Sequence, residues 1–523
     1  MNHPQTNVLP NEEWDSYPKD EAGCSEKTAY EAPPKLKAID RKQMVFRSVE
    51  IEKLIPPDHE ARAIWEFVGR LDLNCYFDDI RSKEGCAGRS SLDPQLMISL
   101  WIYSYSKGVN SGREMAQLCE FDPAYQWLTG MTSINHHSLS DFRVDHKLAL
   151  DNLLVEVLAL LSAENLITME RVMHDGTKIK ANASGKSFRR EKTLLEHLKL
   201  AQEHVAAVDE LQATEEGSLR QKKAQERAAR DRKERLEKSL SELKDLRSIK
   251  KSEEEREAAR ISMTDPECRN MKQGNGGFAP SYNVQISTDA ANDLIVGVGV
   301  SQAGNDTHEL IPSIGRIEKG TGQTPKQMVV DGGFTTKANI LEMSQRSIDL
   351  IGSIPENLGS DNLENRGGDS HFNSQAFAYN SKDDFFTCPA GQIMRLKEKN
   401  QGIGSIDCRY LAERGICQKC QFQQKCCPQN SRKGRSIRRT IYASEIVAFQ
   451  QKMETEEAKA IYKQRPQTAE FPNAWIKDKI GLRQFRLRGL IKVGMEALWA
   501  CITYNIKRWI GLKWRLQWEI NEG

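Results

Sequence analysis

One stretch of the chain, residues 186–260, is too highly charged to be buried. Of its 75 residues, 20 are Lys or Arg and 17 are Asp or Glu, and it has no proline and one glycine. This composition favours long helices that stay exposed to solvent. Two apolar stripes at helical spacing run through it, one of Leu194, Leu198, Ala201, Val205 and Val208, and one of Leu236, Leu240, Leu243 and Leu246. The stretch therefore predicts a helical hairpin, which is either a structural arm or a surface that contacts a second copy or a DNA backbone.

Segments with strand-like patterns lie on both sides of this hairpin. Residues 171–180 indicate a strand, a tight turn at Asp175-Gly176 and a second strand. After the hairpin the pattern predicts, in order, strands at 282–288 and 294–300, a helix at 306–317, a strand at 327–331, a helix at 336–346 and a strand at 348–354. This order predicts a mixed α/β core that carries a large insertion after its first strand.

The whole chain has 523 residues, of which 38% are hydrophobic, and this length predicts several structural units. No apolar run approaches the roughly 18 residues that span a bilayer, and the acidic, polar N-terminus lacks the apolar segment of a secretory signal. We therefore expect a cytoplasmic protein without a membrane partner. The net charge of +2 excludes a uniformly basic DNA-coating protein but does not exclude local basic patches.

Helical periodicity characterises residues 44–166. Ser91 with Asp93-Pro94 marks the start of one helix. Across residues 110–143 the pattern changes to short helices joined by turns, an arrangement that resembles a helix-turn-helix. This region is either a plain helical bundle or a bundle that also contacts DNA.

Three carboxylates stand out as candidates for chemistry. Asp175 and Asp331 are each predicted to end a strand and are each followed by glycine, and α/β sheets bind ligands at such strand ends. The same Asp-Gly pairs also occur in ordinary turns. The third acid, Glu470, lies in a basic segment that also contains Tyr462, Arg465 and Lys477. On an ideal helix Glu470 and Lys477 would share a face, so Glu470 is either part of a surface ion-pair cluster or a metal ligand beside phosphate-binding cations.

Separated motifs follow one another along the chain in a recognisable order. They are Asp175-Gly176-Thr177-Lys178 followed by Asn182, Tyr282-Asn283-Val284-Gln285, Val330-Asp331-Gly332-Gly333-Phe334, Tyr462-x2-Arg465-x4-Glu470-x6-Lys477, Gly481-Leu482-Arg483, Arg488-Gly489, Lys492-Val493 and Asn505. In this order the motifs resemble the bacterial insertion-sequence DDE transposases of the group with a Tyr-Arg-Glu-Lys signature near the C-terminus. The resemblance covers roughly residues 44–515. One departure is the gap of four residues, rather than three, between Arg465 and Glu470.

The resemblance implies an RNase H-like core whose catalytic acids are Asp175, Asp331 and Glu470. It also implies Mg²⁺ or Mn²⁺ as the cofactor, because two such ions about 4 Å apart activate a water and stabilise the leaving oxygen during DNA cleavage. Asp175 would contact both ions, and Asp331 and Glu470 one each, since these ions prefer carboxylate oxygens. The same site would perform strand transfer with a DNA 3′-OH as the nucleophile.

The basic C-terminal segment is the expected contact for DNA. Residues 431–523 contain 19 Lys or Arg against 9 Asp or Glu, which indicates that this segment follows a phosphate backbone. The residues expected to bind DNA are Tyr462, Arg465, Lys477, Arg483 and Arg488. The resemblance implies double-stranded DNA as the partner, both at the terminal inverted repeats of the element and at the target site. It also implies a homodimer assembled on DNA.

A cluster of cysteines indicates a second metal site. It consists of Cys388-Pro389-Ala390-Gly391 and Cys417-x2-Cys420-x5-Cys426, with Cys408 and Cys427 nearby. In a cytoplasmic protein this pattern favours a structural Zn²⁺ site over disulfides. The expected ligands are Cys388, Cys417, Cys420 and Cys426, with Cys408 or Cys427 as a substitute for one of them; the alternative is a set of reduced thiols. Residues 402–414 contain few large apolar side chains, so we expect this loop to need a metal to order it.

These features divide the chain into seven parts. They are a disordered tail (1–42), a helical N-terminal domain expected to bind DNA (43–165), the first part of the catalytic core (166–184), the charged helical insertion (185–262), the second part of the core (263–356), the Cys-rich zinc-binding insertion (357–431) and the basic C-terminal part of the core (432–523). The leading hypothesis is a metal-dependent transposase. The alternative is an inactive, transposase-derived and zinc-stabilised DNA-binding protein, and the presence of all three acids argues against it.

Overall fold

The structure is a computed structural model. It describes residues 41–44, 46, 48–78, 80, 90–212, 219–353, 363–364, 367–427 and 434–522. The residues up to Val49 form one unit, and Glu50–Gly523 form a second, compact unit. The disordered tail predicted for residues 1–42 lies outside the described residues, apart from residues 41 and 42. No described helix is both long enough and apolar enough to cross a membrane.

The N-terminal region is helical, as predicted. Its helices are α1 (Glu60–Gly69), α2 (Asn74–Phe77), α3 (Pro94–Ser106), α4 (Gly112–Phe121), α5 (Pro123–Thr129), α6 (His136–Asp145) and α7 (Lys147–Ala163). The Asp93 carboxylate accepts a hydrogen bond from the Gln95 N–H and caps α3 directly before Pro94. This confirms the helix start expected at Asp93-Pro94. α3 is buried on nearly all sides and forms the centre of the helical region.

A mixed sheet of six strands follows the helical region. The strands in this part of the chain are β1 (Arg171–Lys180), β2 (Phe188–Arg189), β3 (Ile261–Ser262), β4 (Arg269–Lys272), β5 (Phe278–Asp289), β6 (Leu294–Ser301), β7 (Gln327–Val330) and β8 (Asp349–Gly352). β2 and β3 form a separate antiparallel pair. In the main sheet, β5 pairs antiparallel with β1 on one edge and with β4 and β6 on the other. β1 is parallel to β7, and β7 is parallel to β8, so the architecture is mixed α/β.

The tight turn predicted at Asp175-Gly176 is wrong. β1 runs without interruption through both residues, and Gly176 pairs with Gln285 of β5. A close approach favours glycine here, because a Cβ at Gly176 would lie 2.4 Å from Asp306 Oδ1 and 2.6 Å from Gln285 Nε2. Asp175 therefore projects from the middle of a strand and not from its end. Asp331, in contrast, directly follows the last residue of β7, as predicted.

Two long helices occupy the highly charged stretch. They are α8 (Glu191–Gln212) and α9 (Leu219–Ile249), and the short α10 (Glu253–Glu257) follows them. The long helices are antiparallel, since Arg247 pairs with Glu191 at one end (2.5 Å) and Arg230 with Asp209 at the other (3.7 Å). Their apolar stripes pack into a small core that includes Leu194, Leu198, Ala201, Leu236, Leu240 and Leu243. The β2–β3 pair joins the base of this hairpin to the rest of the molecule.

Two helices, α11 (Leu310–Thr321) and α12 (Lys337–Gln345), complete the predicted order of elements around the sheet. α11 begins four residues later than expected, because residues 306–309 form a bend and a turn. The Thr336 hydroxyl accepts a hydrogen bond from the Asn339 N–H and caps α12 immediately after the Asp331 loop. The loop after β7 is therefore short and held at both ends.

The cysteine-rich region contains a second, antiparallel sheet. Its elements are β9 (Ala378–Asn380), β10 (Phe385–Thr387), β11 (Ile393–Gly402), β12 (Ser405–Leu411), α13 (Arg414–Gln418), α14 (Gln423–Cys426) and β13 (Ser436–Tyr442). The strand order is β13-β12-β11-β10-β9. A separate apolar core forms between these strands from Phe377, Phe386, Met394, Cys408, Tyr410, Ala412 and Ile437. Tyr410 is completely buried in this core, so residues 402–414 have more apolar packing than the sequence analysis expected.

The C-terminal segment is helical and returns to the main sheet. It consists of α15 (Ser444–Glu454), α16 (Glu456–Lys463), a π-helix (Pro466–Glu470), α17 (Phe471–Asp478), α18 (Leu490–Trp509), a second π-helix (Ile510–Trp514) and α19 (Arg515–Glu522). The Asn505 side chain of α18 bonds both the N–H and the C=O of Ile295 in β6, each at 2.8 Å. On α18, Trp499 lies 6.5 Å from Trp101 of α3, measured between ring centroids. One hydrophobic core therefore connects the N-terminal helices, the main sheet and α18.

Candidate active site

Asp175 and Asp331 belong to neighbouring parallel segments. The pairing of β1 with β7 extends to Met173 and Val329, and each aspartate lies two residues beyond that pair. Since side chains alternate along a strand, Asp175 lies on the same face of the sheet as Met173. At this position the negative charge of Asp331 helps to raise the pKa of Asp175.

The surroundings of Asp175 make its ionisation costly. Burial raises the pKa of Asp175 to about 6, the Arg465 guanidinium opposes this shift, and the charges of Asp331 and Glu470 add to it. Only 18% of the Asp175 side chain is exposed. A buried carboxylate among other acids gains from a nearby cation, so this position favours cation binding.

Arg465 bridges two of the three predicted acids. Its Nη1 atom lies 3.5 Å from Asp175 Oδ1, and its Nη2 atom lies 3.3 Å from Glu470 Oε1. Arg465 and Asp175 are 290 residues apart in the sequence. Arg465 therefore links Asp175 and Glu470, while Asp331 follows the strand next to that of Asp175.

The contact between Arg465 and Glu470 depends on a local change of helix type. Residues Pro466–Glu470 form a π-helix. A π-turn holds one more residue than an α-turn, and π-turns are frequent at functional sites. The gap of four residues between Arg465 and Glu470, in place of three, therefore still spans a single turn. The wider turn absorbs the extra residue and keeps both side chains beside Asp175.

Asn473, which the sequence analysis missed, and Lys477, which it predicted, complete the surroundings of Asp175. Asn473 Nδ2 donates to Asp175 Oδ2 (3.0 Å) and to the Ala469 carbonyl (3.2 Å). Lys477 Nζ donates to Thr177 Oγ1, the next residue on the same face of β1. Burial lowers the pKa of Lys477, and the charge of Asp175 opposes this shift. The four-residue spacing of Asn473 and Lys477 is the signal that could have identified Asn473, since such positions share a helix face.

The opposite face of β1 is supported by a network of neutral side chains and one carboxylate. His174 Nε2 lies 2.9 Å from Gln285 Oε1, and His174 Nδ1 lies 2.8 Å from the Ser287 hydroxyl. Gln285 Nε2 donates to Asp306 Oδ1 (2.7 Å), as does Asn283 Nδ2. Burial lowers the pKa of His174 to about 3, so this ring is neutral. Gln285 and Asn283 of the Tyr-Asn-Val-Gln motif therefore support β1 on the face opposite Asp175.

The basic residues predicted to bind DNA lie in order along β1 and its continuation. Arg465 lies beside Asp175 and Lys477 beside Thr177. The Lys180 N–H donates to the Arg483 carbonyl (3.3 Å), and Arg488 Nε donates to the Asn182 carbonyl (3.1 Å). We call this set the basic track; it consists of Arg465, Lys477, Arg483 and Arg488.

Tyr462, also predicted to bind DNA, is not part of the basic track. It packs against an apolar cluster on the Asp175 face of the sheet, which includes Met173 and Ala469. It also lines a cavity with Lys459 and Lys463. Its aromatic ring therefore packs against the cluster that contains Ala469 of the π-helix.

The predicted zinc ligands lie around one cavity of about 330 Å³. Its lining includes Cys388, Cys417, Cys420, Cys426 and Cys427. Cys408 instead lies in the core of the second sheet, so Cys427 is the better substitute ligand. Cys388 Sγ accepts a hydrogen bond from the Gln392 N–H (3.4 Å), and Cys417 Sγ accepts one from the Arg435 N–H (3.5 Å).

Neither set of candidate ligands is arranged around an ion. Among the residues that the structure describes, no three His, Cys, Asp or Glu side chains form a group that could hold a metal. The donor types nevertheless suit the expected ions, since Mg²⁺ prefers carboxylate oxygens and Zn²⁺ prefers thiolates. The side chains would have to shift to surround an ion, and Arg465 lies between two of the carboxylates.

Two parts of the chain match known protein families. Residues 49–145 match the model of a transposase domain (DUF772), and residues 387–510 match that of a transposase DDE domain. A search of curated proteins and a search of solved structures found no match. The DDE match contains Glu470 and the whole basic track, whereas Asp175 and Asp331 lie outside both matches.

Over these residues the chain is similar to transposases, an enzyme class that acts on DNA. The two matches confirm the resemblance to the bacterial insertion-sequence DDE transposases that the order of the motifs indicates. DDE transposase domains use divalent metal ions, which agrees with the carboxylates around Asp175.

Proposed function

We propose that this protein cleaves DNA at the ends of an insertion sequence and joins those ends to target DNA. The observation that supports the proposal is that Arg465 contacts both Asp175 and Glu470, beside the strand that leads to Asp331. Two of these acids come from neighbouring strands of a mixed sheet and the third from a C-terminal helix. An RNase H-like core would be built in this way, from residues 166–184, 263–356 and 432–523, with 185–262 and 357–431 as insertions.

Asp175, Asp331 and Glu470 would hold two Mg²⁺ or Mn²⁺ ions. When bound, such ions activate a water or a DNA 3′-OH and stabilise the leaving oxygen. Asn473 holds Asp175 Oδ2, whereas Asp175 Oδ1 faces the Arg465 guanidinium and is the oxygen that a cation would contact. The Gly333 N–H donates to Asp331 Oδ1 (2.7 Å) and so fixes the orientation of that carboxylate. The chain itself thus orients two of the three ligands.

The basic track would bind the phosphates of the terminal DNA. Lys477 is oriented by Thr177, which lies two residues after Asp175 on β1. A half-buried ammonium group gains from pairing with a phosphate. Arg483 is exposed and pairs with Asp478 (2.5 Å), a surface contact that a phosphate can replace. The track would therefore align a DNA strand with Asp175. Charge-neutralising contacts of this kind make binding depend on salt concentration.

Residues 43–165 would supply a second DNA surface, and two copies of the chain would assemble on the two ends of the element as a homodimer. Within this region, Arg143 is not available to DNA. It is buried, donates to the Asn110 carbonyl (2.8 Å) and lies 4.8 Å from the centre of the Trp101 ring. A DNA contact here would use the exposed residues of α6, such as His137 and Ser138.

A structural Zn²⁺ in the cysteine cavity is part of the proposal. Cys388, Cys417, Cys420 and Cys426 would hold it, with Cys427 as the substitute ligand. The N–H groups of Gln392 and Arg435 already donate to two of the sulfurs, which is how thiolate ligands are commonly oriented. The inactive DNA-binding alternative has no observation in its favour, since all three acids are present at the site.

The test is to replace each acid by its amide. Asp175→Asn, Asp331→Asn and Glu470→Gln should each reduce Mg²⁺-dependent cleavage of the DNA ends by roughly a thousandfold or more, because each removes a metal ligand. Binding to the same DNA, measured by gel shift, should remain. Asp349→Asn is the matched control, since Asp349 is an exposed carboxylate on β8 that pairs with Lys452. Full cleavage by any of the three acid variants would contradict the proposal.

A further inference from the structure

Arg465 occupies the position from which a divalent ion would contact two of the acids. We propose that the Arg465 side chain is an internal competitor of the metal ions, so that ions bind Asp175 and Glu470 only after the guanidinium group has moved away. This inference rests on the proposed function, because it takes these carboxylates as the metal ligands. It adds a form of regulation to that site.

The first argument is that Arg465 and an ion need the same oxygen atoms. Arg465 contacts Oδ1 of Asp175 and Oε1 of Glu470. The other oxygen of Asp175 is already bonded to Asn473. Mg²⁺ and Mn²⁺ bind oxygen ligands at close to 2 Å, and a guanidinium group on the same side of the carboxylates prevents that approach.

The second argument is that the Arg465 contacts can be broken. Charge-assisted N–H···O bonds are about 2.7–2.9 Å long when they are strong, whereas those of Arg465 measure 3.5 and 3.3 Å. Each carboxylate receives one nitrogen, so neither contact is the two-pronged pairing that holds arginine most firmly. Glu470 is also 55% exposed, which weakens its attraction to Arg465 through solvent screening. A divalent ion can therefore displace this side chain.

The third argument concerns the place to which Arg465 can move. Arg465 is the first member of the basic track, and Lys477 is the next member along it. A phosphate that binds the track offers Arg465 another negative partner and releases Asp175 and Glu470. DNA would then favour metal binding, and by linkage metal would favour DNA binding. Such coupling would lower the affinity of the site for ions until DNA is present.

The experiment measures Mn²⁺ binding to the full-length chain without DNA, by electron paramagnetic resonance. Arg465→Gln should bind Mn²⁺ about two- to tenfold more tightly than the wild type, because two weak ion pairs no longer compete. Arg465→Lys keeps the charge but cannot span both oxygens, so its affinity should lie between the two. Equal or weaker Mn²⁺ binding by Arg465→Gln would overturn the inference. If that variant does not fold, Arg465→Lys takes its place, and equal or weaker binding overturns the inference in the same way.

Two controls assign the effect to this site. Arg346 also bridges two carboxylates, Glu342 and Glu318, on the surface, and Arg346→Gln should leave the Mn²⁺ affinity unchanged. Adding Asp175→Asn to Arg465→Gln should abolish the gain. If Asp175→Asn has no effect on Mn²⁺ binding even in the wild type, the carboxylates are not the ligands, and the proposed function fails together with this inference. If binding depends on Asp175 but not on Arg465, only the competition is wrong.

Discussion

Asp175 and Asp331 are the same residue type and both precede glycine, yet their surroundings differ. Asp175 projects from the middle of β1 and is mostly buried. Asp331 follows the end of β7, where the Gly333 N–H donates to its carboxylate. The folded protein therefore bears a cost for ionising Asp175, which cation binding can offset. The sequence singled out both residues but could not show which is more buried, because burial depends on the distant segments that cover each one.

This cost predicts that Asp175→Asn stabilises the protein in the absence of divalent ions. The pKa of Asp175 is about 6 in the folded state, above the ordinary value of about 3.9, so stability is lost as the pH rises through this range. The neutral amide avoids this loss. We expect a gain of about 1–3 kcal/mol at pH 8 that vanishes below about pH 4, measured by thermal melting in EDTA.

The control variant is Asp349→Asn, whose effect should have the opposite sign. Burial opposes the shift, but hydrogen bonds from Lys452 and Gln327 lower the pKa of Asp349. Its ionised form therefore stabilises the folded state at neutral pH, and the amide should lose that contribution. A stability difference for Asp175→Asn that does not change with pH would contradict the explanation.

At the scale of elements, helices and strands with a regular sequence pattern could be predicted, whereas local irregularities in them could not. The start of α3 and the end of β7 were identified from local signals, a capping aspartate and an Asp-Gly-Gly sequence. The same kind of local signal misled at Asp175-Gly176, because glycine there serves the approach of Gln285 from another strand. The π-helix before Glu470 was equally unpredictable. Pro466 and Pro472 indicate an interruption of the helix, but they do not indicate that it takes the form of a π-helix.

The helical hairpin should be removable without loss of the rest of the fold. Arg189 of β2 lies opposite Ile261 of β3, so a two-residue Asn-Gly turn can replace residues 190–260. The α8–α9 pair has a small core of its own, and its contacts with the rest of the molecule include the ion pairs Lys238–Glu267 (2.9 Å) and Glu242–Arg269 (2.5 Å). We expect one cooperative thermal transition, lower by no more than about 10 °C. Loss of that transition would show that the hairpin belongs to the core.

The zinc site proposed beside the second sheet predicts a definite metal content. Purified protein should contain about one Zn²⁺ per chain, measured by mass spectrometry of the metals, since four thiolates fill a tetrahedral site. Cys420→Ser should lose the zinc, whereas Cys75→Ser, far from the cavity in sequence, should keep it. Chelation should expose residues 385–430 to proteolysis, but the Tyr410 core should limit the damage to the cysteine loops. Zinc-free protein purified under reducing conditions would contradict the proposal.

At the scale of the whole molecule, one core joins the two ends of the sequence. The periodicity of residues 44–166 correctly indicated helices, but it shows which face of a helix is buried and not what covers that face. The cover is α18, whose Trp499 meets Trp101 of α3 while Asn505 binds the backbone of β6. The mixed α/β class and its helical region could thus be predicted from the sequence, and the way they are joined could not.

The position of α18 also determines what becomes of shortened gene copies. Every chain that stops before Leu490, the first residue of this helix, lacks the helix altogether. A chain that stops earlier leaves the buried surface of α3 and one face of the sheet open to water, and such apolar surfaces promote aggregation. Truncating mutations would then leave no folded remnant able to occupy the DNA ends. A truncated copy of the gene would then lose its activity without inhibiting the protein made from an intact copy.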